Sequence, residues 1–356
     1  PVESMVHAME RELALRAPAW NALGGPSTVY FGGGTPSVLA AGQIASLLAA
    51  VRYHFPQSAW EEVTLEANPD DLDPERLRGW REAGVDRLSV GVQTFDDAAL
   101  QWMGRTHTGN EAERAVMRVA EAGFDRVSLD LMYGLPGRDL DGWRRDLDRA
   151  LALPINHLSA YVLTVEPRTA LGVRVARGLE AEAPEAAVEA AYTALCERTA
   201  AGGWEHYEVS NFARAGGRAV HNARYWRGVP YLGIGPGAHG FNGTDRYANV
   251  ANNPRYLSAL SDADAAQDVP ATWDLLTPTD RYNEALMTGL RTAAGIQLDA
   301  LERDLGRRPD RDEQAAWNRA VQRGVLVECG GEGWRIPEAH WLIGDAIASD
   351  FFAIQD

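Results

Sequence analysis

The chain has 356 residues, and its 50 Asp and Glu residues outnumber its 34 Lys and Arg residues, which gives a formal net charge of −16 at pH 7. This acidic balance argues against nonspecific binding to nucleic acids or to anionic membranes, because both depend on basic patches. Only two cysteines occur, Cys196 and Cys329, and they are far apart, so this chain alone can form neither a disulfide framework nor a cysteine metal site. Because the sequence also has no apolar run of about 20 residues, it predicts a cytoplasmic protein without a transmembrane segment.

Five short apolar runs, spaced about one strand-and-helix unit apart, each stop at a polar or glycine-rich cluster. They cover residues 28–31, 63–65, 88–92, 127–129 and 158–163. The stretches between them carry apolar residues at helical spacing, as at Ile44, Leu47, Leu48 and Val51. Crossovers of that length connect parallel strands, whose carboxyl ends share one face of a barrel or sheet. The pattern therefore predicts an α/β fold in which the five clusters converge on one pocket.

An internal echo supports repeating strand-and-helix units. The sequence EAGVDRLSV at residues 82–90 returns as EAGFDRVSL at residues 121–129. Each copy is typical of a helix end, a glycine cap and a following strand. A weaker third version at residues 201–210 predicts one more such unit.

The last third of the chain has a different pattern. Two helices, a hairpin and a last helix are predicted at residues 298–305, 313–322, 325–328 with 334–336, and 341–352. This order predicts an α+β winged-helix-like domain at residues 243–356, after a barrel domain at residues 1–242. Because no basic recognition helix is present, we interpret the second domain as a cover or docking surface for the barrel and not as a DNA-binding module. The acidic stretch at residues 261–268 predicts an exposed connection.

The polar clusters resemble a known family in their order and spacing. They read FGGGTPS at residues 31–37, EANP at 66–69, GVQTF at 91–95, Arg105, and DLMYGLPG at 130–137. This set resembles the radical S-adenosylmethionine (SAM) enzymes related to oxygen-independent coproporphyrinogen III oxidase. Within that family, HNARYW at residues 221–226 resembles the HNxxYW motif of the heme chaperone branch. The resemblance implies a (βα)6 TIM-like barrel of the radical SAM type.

One part of the family pattern is missing. The family holds a [4Fe–4S] cluster with a CxxxCxxC loop after its first strand, and this sequence contains neither that loop nor that strand. We therefore expect a partial barrel, in which no residue of this chain ligates the cluster. Either the segment precedes the present sequence, or the protein has lost the cluster. The first alternative is favoured, because the residues that face SAM in the family are retained.

The resemblance implies a SAM site with the following residues. Gly33, Gly34 and Thr35 would line the amino-acid part of SAM, where a glycine lets the ligand approach the backbone. Glu66 would accept hydrogen bonds from the ribose hydroxyls. The remaining SAM residues implied by the family are Gln93, Arg105, Asp130 and Thr164. Among them, Arg105 can hold a carboxylate bidentately, and Thr164 is matched mainly by its position after a strand.

The HNxxYW segment predicts a heme site made of His221, Asn222, Tyr225 and Trp226. The imidazole of His221 suits iron, and the two aromatic rings can pack on a macrocycle. The alternative is that His221 is a hydrogen-bonded structural residue or only shapes the pocket. His239, in a glycine-rich stretch, is a second candidate ligand.

Two functions follow from the resemblance. The first is a heme chaperone that binds heme and delivers it to apo-hemoproteins, with SAM and, in the full-length protein, a [4Fe–4S] cluster as further cofactors. The second is a radical SAM coproporphyrinogen III dehydrogenase, which decarboxylates its substrate oxidatively in heme biosynthesis. The sequence leaves the oligomeric state open, although an exposed cluster loop in the family would favour a homodimer.

Overall fold

The computed structural model describes residues 2–261, 269–331 and 333–354, so residues 262–268 of the predicted exposed connection lie outside the described residues. Its centre is a seven-stranded sheet in the order β1-β2-β3-β4-β5-β7-β6. The strands are β1 Thr28–Phe31, β2 Glu62–Ala67, β3 Arg87–Gln93, β4 Arg126–Tyr133, β5 His157–Val162, β6 Glu205–Glu208 and β7 Asn211–Ala213. The first five strands are parallel, as predicted, and β7 and β6 extend the sheet in antiparallel fashion.

Eight α-helices accompany this sheet within the described ranges, and the second, third, fifth, sixth and eighth of them contribute buried residues to the core on one of its faces. They are α1 Val2–Asn21, α2 Ala41–His54, α3 Pro74–Ala83, α4 Asp97–Trp102, α5 Gly109–Glu121, α6 Leu140–Ala152, α7 Ala170–Ala176 and α8 Glu185–Ala201. Asp73 caps α3 by accepting hydrogen bonds from the backbone N–H groups of Glu75 and Arg76, both at 3.0 Å. Gly84 and Gly123, the glycines of the sequence echo, have φ angles of +110° and +83°. These positive angles are the left-handed helix ends that the echo predicts.

The third copy of the echo has the same local elements as the first two, since α8 ends at Ala201, the first residue of this copy. Gly203 has a φ of +70° and is followed by β6, so the glycine and the strand are present. However, β6 pairs antiparallel with β7 at the edge of the sheet, and within the described residues the sheet does not close into a barrel. Since β7 is antiparallel to both β5 and β6, β6 runs in the same direction as β1–β5, and the predicted unit of helix end, glycine and strand is confirmed, with β7 inserted between β5 and β6.

The two faces of the parallel strands differ in polarity. Side chains that alternate onto the helix-covered face, such as Leu65, Leu88, Val90 and Leu129, are fully buried in the main apolar core. The opposite, inner face carries polar side chains, which are described below. The core is therefore formed between the sheet and its helices.

A second sheet lies beyond the parallel strands. It contains β8 His239–Phe241, β9 Arg246–Asn249 and β10 Ala271–Asp274 in the order β10-β9-β8, flanked by α9 Val220–Trp226 and α10 Asn253–Ser261. The buried carboxylate of Glu12 in α1 anchors this region, accepting hydrogen bonds from Arg16, Asn249, Tyr256 and the backbone N–H of Gly235 at 2.6–2.8 Å. The domain boundary after residue 242 falls in the turn between β8 and β9 and remains a proposal.

The C-terminal region has the predicted helices followed by a hairpin. Its elements are α11 Pro278–Gly289, β11 Ile296–Gln297, α12 Leu298–Leu305, α13 Arg311–Gln322, β12 Val327–Glu328, β13 Gly333–Arg335 and α14 Gly344–Ser349. Its three short strands pair antiparallel in the order β11-β13-β12. The region packs on the main sheet through His206, whose ring stacks on Phe212 and meets Trp341 edge-on at 4.4 Å. In the described part of the chain, no helix has both the length and the apolar character of a membrane span.

Candidate cofactor site on the inner face of the sheet

Glu66 and Asp130 lie on the inner face of the sheet and not at strand ends. The sequence predicts that the strands stop before these residues, but β2 continues to Ala67 and β4 to Tyr133. The apolar runs end early because every second residue of these strands faces a polar interior, which interrupts the hydrophobic pattern. The two carboxylates lie on the same face of the sheet, on β2 and β4, with β3 between them.

The glycine-rich loop after β1 closes on Glu66. The backbone N–H of Gly33 donates to Glu66 Oε2 at 3.2 Å, and the hydroxyl of Tyr30 donates to Glu66 Oε1 at 2.7 Å. Gly33 has a φ of +77°, and a Cβ placed on Gly33 or Gly34 would meet no atom within 4 Å. The predicted loop residues therefore border open space beside a carboxylate. Thr35 follows them and is also exposed.

Gly32 must also be a glycine, for a reason that sequence reasoning did not find. A Cβ on this residue would overlap the ring of Tyr30 and lie 2.8 Å from Glu66 Oε1. The absence of a side chain at Gly32 is what allows Tyr30 and Glu66 to form their hydrogen bond. The run of three glycines thus combines one residue that makes room for protein atoms with two that border solvent.

Asp130 is held by serine hydroxyls on neighbouring strands. Ser89 Oγ lies 3.2 and 3.1 Å from the two carboxylate oxygens and donates to them, and Ser159 adds a further hydrogen bond. Burial raises the pKa of Asp130 to about 6, although the serine hydrogen bonds lower it, and the negative charge of Glu66 raises it further. Asp130 can therefore hold a proton near neutral pH or accept hydrogen bonds from a cationic ligand.

Gln93 ends β3 in an unusual conformation. Its φ of +70° is the only positive value of a non-glycine residue in the part of the chain that the structure describes. The pairing of β3 with β4 shifts register between Val90 and Gln93, which marks a bulge. Strained residues of this kind concentrate at functional sites. Gln93 places an amide side chain at the carboxyl edge of the sheet.

Arg105 reaches the same edge. Its Nη1 donates to Asn68 Oδ1 at 2.8 Å, and Asn68 follows β2 directly. Among the described residues Arg105 forms no ion pair, so its guanidinium is free to bind the carboxylate of a ligand. Thr164 is different, because it lies exposed beyond the end of β5, and the structure gives it no hydrogen bond to the other predicted residues within the described ranges.

The HNxxYW segment forms the short helix α9, which begins against β1 and β2. Glu62, the buried first residue of β2, accepts hydrogen bonds from the backbone N–H groups of Val220 and His221 at 2.9 and 3.0 Å. A carboxylate at this position compensates the free N–H groups of the first helical turn. Sequence reasoning missed Glu62, since its partners are distant in the chain.

Both ring nitrogens of His221 have hydroxyl partners. Nδ1 lies 2.8 Å from Thr28 Oγ1, and Nε2 lies 2.9 Å from the hydroxyl of Tyr225. Burial lowers the pKa of His221 to about 4, despite the nearby charge of Glu62, so the ring is neutral at pH 7. The ring of Tyr30 stacks on that of His221, with centroids 4.9 Å apart. The geometry fits the hydrogen-bonded alternative, and iron ligation at Nε2 requires the Tyr225 hydroxyl to move away.

The other residues of α9 line its outer end. Tyr225 is 37% exposed and meets Tyr231 edge-on at 4.7 Å. The guanidinium of Arg291 lies 5.7 Å from the centroid of Trp226, whose indole N–H is buried and has no hydrogen-bond partner among the described residues. Asn222 is partly buried in the same helix, whereas His239 is exposed at the start of β8.

The residues present do not fit a [4Fe–4S] cluster. Cys196 and Cys329 are partly buried in separate regions, and no group of three His, Cys, Asp or Glu side chains in the described ranges is arranged to hold a metal ion. Cluster ligation takes three or four thiolates in proteins of this kind. No step that depends on the cluster can therefore be assigned to residues of this chain.

Comparisons with known proteins agree on one family. Residues 8–150 match the radical SAM superfamily, and residues 276–343 match the HemN C-terminal domain. The heme chaperone HemW of Bacillus subtilis (strain 168) is 36% identical over 311 residues, which cover 87% of this chain and 81% of that protein. HemW of Escherichia coli (strain K12) is 34% identical over 336 residues, which cover 92% and 84%.

A solved structure shares the fold. It is the E. coli coproporphyrinogen III oxidase HemN, a radical SAM enzyme, which matches with a TM-score of 0.79 at 19% identity over 98% of this chain and 83% of that one. At this identity the likeness concerns the fold alone. The sequence matches, however, extend over most of both chains, and they show that this chain belongs to the HemW family within the radical SAM superfamily.

Proposed function

We propose that this protein binds heme through the HNxxYW helix α9 and delivers it to apo-hemoproteins, on a scaffold whose inner sheet face binds SAM. The observation that carries the proposal is the placement of His221 and the exposed Tyr225 at one end of that inner face, beside β1. Relatives that are named heme chaperones support it.

Membership in the radical SAM superfamily implies SAM and a [4Fe–4S] cluster as cofactors. The residues of the inner face fit the SAM part. Glu66 would accept hydrogen bonds from the ribose hydroxyls, since each carboxylate oxygen has one donor from the protein and room for another. Arg105 would bind the carboxylate of SAM, and the open space beside Gly33 and Gly34 would take the amino-acid backbone.

The heme part rests on two side chains at the end of α9. A bound heme would need a nitrogen or oxygen donor for its iron, and His221 would supply the nitrogen. Nε2 of His221 is the nitrogen that faces outward, and Thr28 holds the ring from the other side. The hydroxyl of Tyr225 covers Nε2 in the structure and would have to rotate away, while its ring and that of Trp226 would pack on the macrocycle.

A heme titration tests the proposal. We expect stoichiometric binding with a shifted Soret band, and we expect His221→Ala to weaken it at least tenfold. His7→Ala, which changes an exposed histidine in α1, is the control and should bind as the parent protein does. Equal affinities of the parent and the His221→Ala protein would remove His221 from the site. Transfer is then measured by mixing loaded protein with apomyoglobin and following its Soret band.

The second candidate is oxidative decarboxylation of coproporphyrinogen III. The retained set of Glu66, Gln93, Arg105 and Asp130 on or beside the inner face favours it, because heme delivery alone does not require SAM. Anaerobically reconstituted full-length protein, given SAM and a reductant, decides between the two. We expect no protoporphyrinogen IX to form, and its formation would favour the enzyme.

The remaining properties are proposed from charge and family. We place the protein in the cytoplasm, with hemoproteins as partners, and the net charge of −16 argues against nucleic acid as one. A homodimer remains a prediction, which light scattering of the purified protein tests directly.

A further inference from the structure

Tyr30 contacts both proposed ligand sites with different parts of one side chain. Its hydroxyl donates to Glu66 at 2.7 Å, on the side of the glycine-rich loop. Its ring stacks on His221, with an interplanar angle of 26° and a centroid separation of 4.9 Å. A single phenol therefore spans the space between the carboxylate proposed for SAM and the imidazole proposed for heme.

The surroundings direct the Tyr30 hydroxyl toward Glu66. Gly32 lies so close that even a Cβ there would overlap the phenol ring, and burial together with Glu66 raises the pKa of the hydroxyl, which stays protonated and can only donate to the carboxylate. His221 is held at its backbone N–H by Glu62 on β2, and its ring nitrogen Nδ1 lies within hydrogen-bond distance of Thr28 on β1. A displacement of the Glu66 carboxylate would therefore move the Tyr30 phenol and, through the stacked rings, the imidazole of His221, because closely packed side chains transmit such movements.

We propose that Tyr30 couples the two sites, so that a nucleoside ligand on Glu66 fixes the orientation of His221 and strengthens heme binding. This inference rests on the proposed function, because it assigns SAM to Glu66 and heme to α9. Tyr30 acts as a positioning residue, since it touches neither ligand in this scheme.

The sign of the coupling follows from the hydrogen bonds. Ribose hydroxyls can donate to lone pairs of Glu66 that Tyr30 and Gly33 leave free, so the ligand holds the carboxylate in place without displacing the Tyr30 hydroxyl. The ordered carboxylate then orders the phenol and the imidazole stacked on it. A second ligand that binds the ordered state pays less conformational entropy. We expect SAM to raise heme affinity about fivefold, and heme to raise SAM affinity by the same factor.

The first test does not involve heme. In protein labelled with ¹⁵N-histidine, long-range ¹H–¹⁵N spectra report the imidazole nitrogens, and the peaks missing in His221→Gln identify those of His221. We expect saturating SAM to shift these peaks in the parent protein and not in Tyr30→Phe, which keeps the stacked ring and loses only the hydroxyl. Tyr133→Phe, a matched change on the opposite face of the sheet, should respond as the parent does.

The outcomes separate the inference from the proposed function. Equal shifts in the parent and in Tyr30→Phe, or no shift although calorimetry shows SAM binding, would overturn the coupling. If calorimetry shows no SAM binding at all, the proposed SAM site is wrong and the inference fails with it. If the shift depends on Tyr30 but heme does not bind, the coupling of Glu66 to His221 stands and the heme assignment fails. Where heme binds, its titration with and without SAM should show the fivefold difference in the parent and none in Tyr30→Phe.

Discussion

Thr28 and His221 are joined by a hydrogen bond of 2.8 Å between Oγ1 and Nδ1, although 193 positions separate them in the chain. Thr28 is the first residue of β1, and His221 lies in the first turn of α9. Through this bond an edge strand of the sheet sets which nitrogen of the imidazole faces inward. The other nitrogen, Nε2, is left for Tyr225 or for an outside ligand.

The Thr28→Val protein tests this relationship. Valine has nearly the same shape but leaves Nδ1 without a partner in a partly buried position, so we expect the free energy of unfolding to fall by about 1 kcal/mol. Urea unfolding measures the change. Thr28→Ser keeps the hydroxyl and loses only the methyl group, so it is the control; a Thr28→Val protein as stable as the parent would show that the hydrogen bond contributes nothing.

The sequence could predict most of the sheet, because apolar runs and capped helices are local signals. Asp73 and the glycines at 84 and 123 end or begin helices through contacts within a few residues, and these predictions are confirmed. The polar residues of the inner face were harder to place from the sequence. Glu66 and Asp130 interrupt the hydrophobic pattern although they lie within strands, so the sequence predicts that the strands end before these residues.

Long-range partners could not be predicted from the sequence at all. Tyr30 is part of an apolar run, and nothing local shows that its hydroxyl meets Glu66. Glu62 is likewise a single carboxylate at a strand start, and its role as the cap of α9 depends on a contact 159 positions away. Such contacts follow from the packing of the whole domain, whereas sequence patterns report neighbours along one element.

Asp130 should make stability depend on pH. Burial raises its pKa from 3.8 to about 6, so between these values the folded state binds more protons than the unfolded state. The contribution of Asp130 to the free energy of unfolding therefore falls as the pH rises from 3.8 to 6. We expect Asp130→Asn, which keeps an acceptor for Ser89, to gain stability relative to the parent at pH 7.5 and not at pH 4. Unfolding by urea at both values provides the comparison, with the exposed Asp125→Asn as control. A gain of the same size at both pH values would contradict the raised pKa.

His157 should make stability change with pH in the direction opposite to that of Asp130. It is buried between Ser128 Oγ and the hydroxyl of Tyr207, each 2.7 Å from a ring nitrogen, and burial holds its pKa well below 6.5. Below pH 6.5 the unfolded state takes up a proton that the folded state does not, so stability is lost as the pH falls. We expect His157→Asn to be less stable than the parent at pH 7.5, with a difference that narrows toward pH 5. His7→Asn, which changes an exposed histidine, should leave the pH profile unchanged. A constant difference between His157→Asn and the parent would mean that His157 titrates normally.

A substitution at Gln93 should affect the stability of the protein and its binding of SAM in opposite directions. Its φ of +70° costs a side-chain-bearing residue about 1 kcal/mol, which glycine avoids. We therefore expect Gln93→Gly to raise the free energy of unfolding by about this amount and to weaken SAM binding, because the amide at the sheet edge is lost. Gln101→Gly, in the helix α4, is the matched control and should lower stability by about 1 kcal/mol without affecting SAM binding. Urea unfolding and SAM calorimetry on the three proteins provide both readouts. If Gln93→Gly is destabilised, the side chain contributes more to the fold than its backbone strain costs, and Gln93 is then a structural residue.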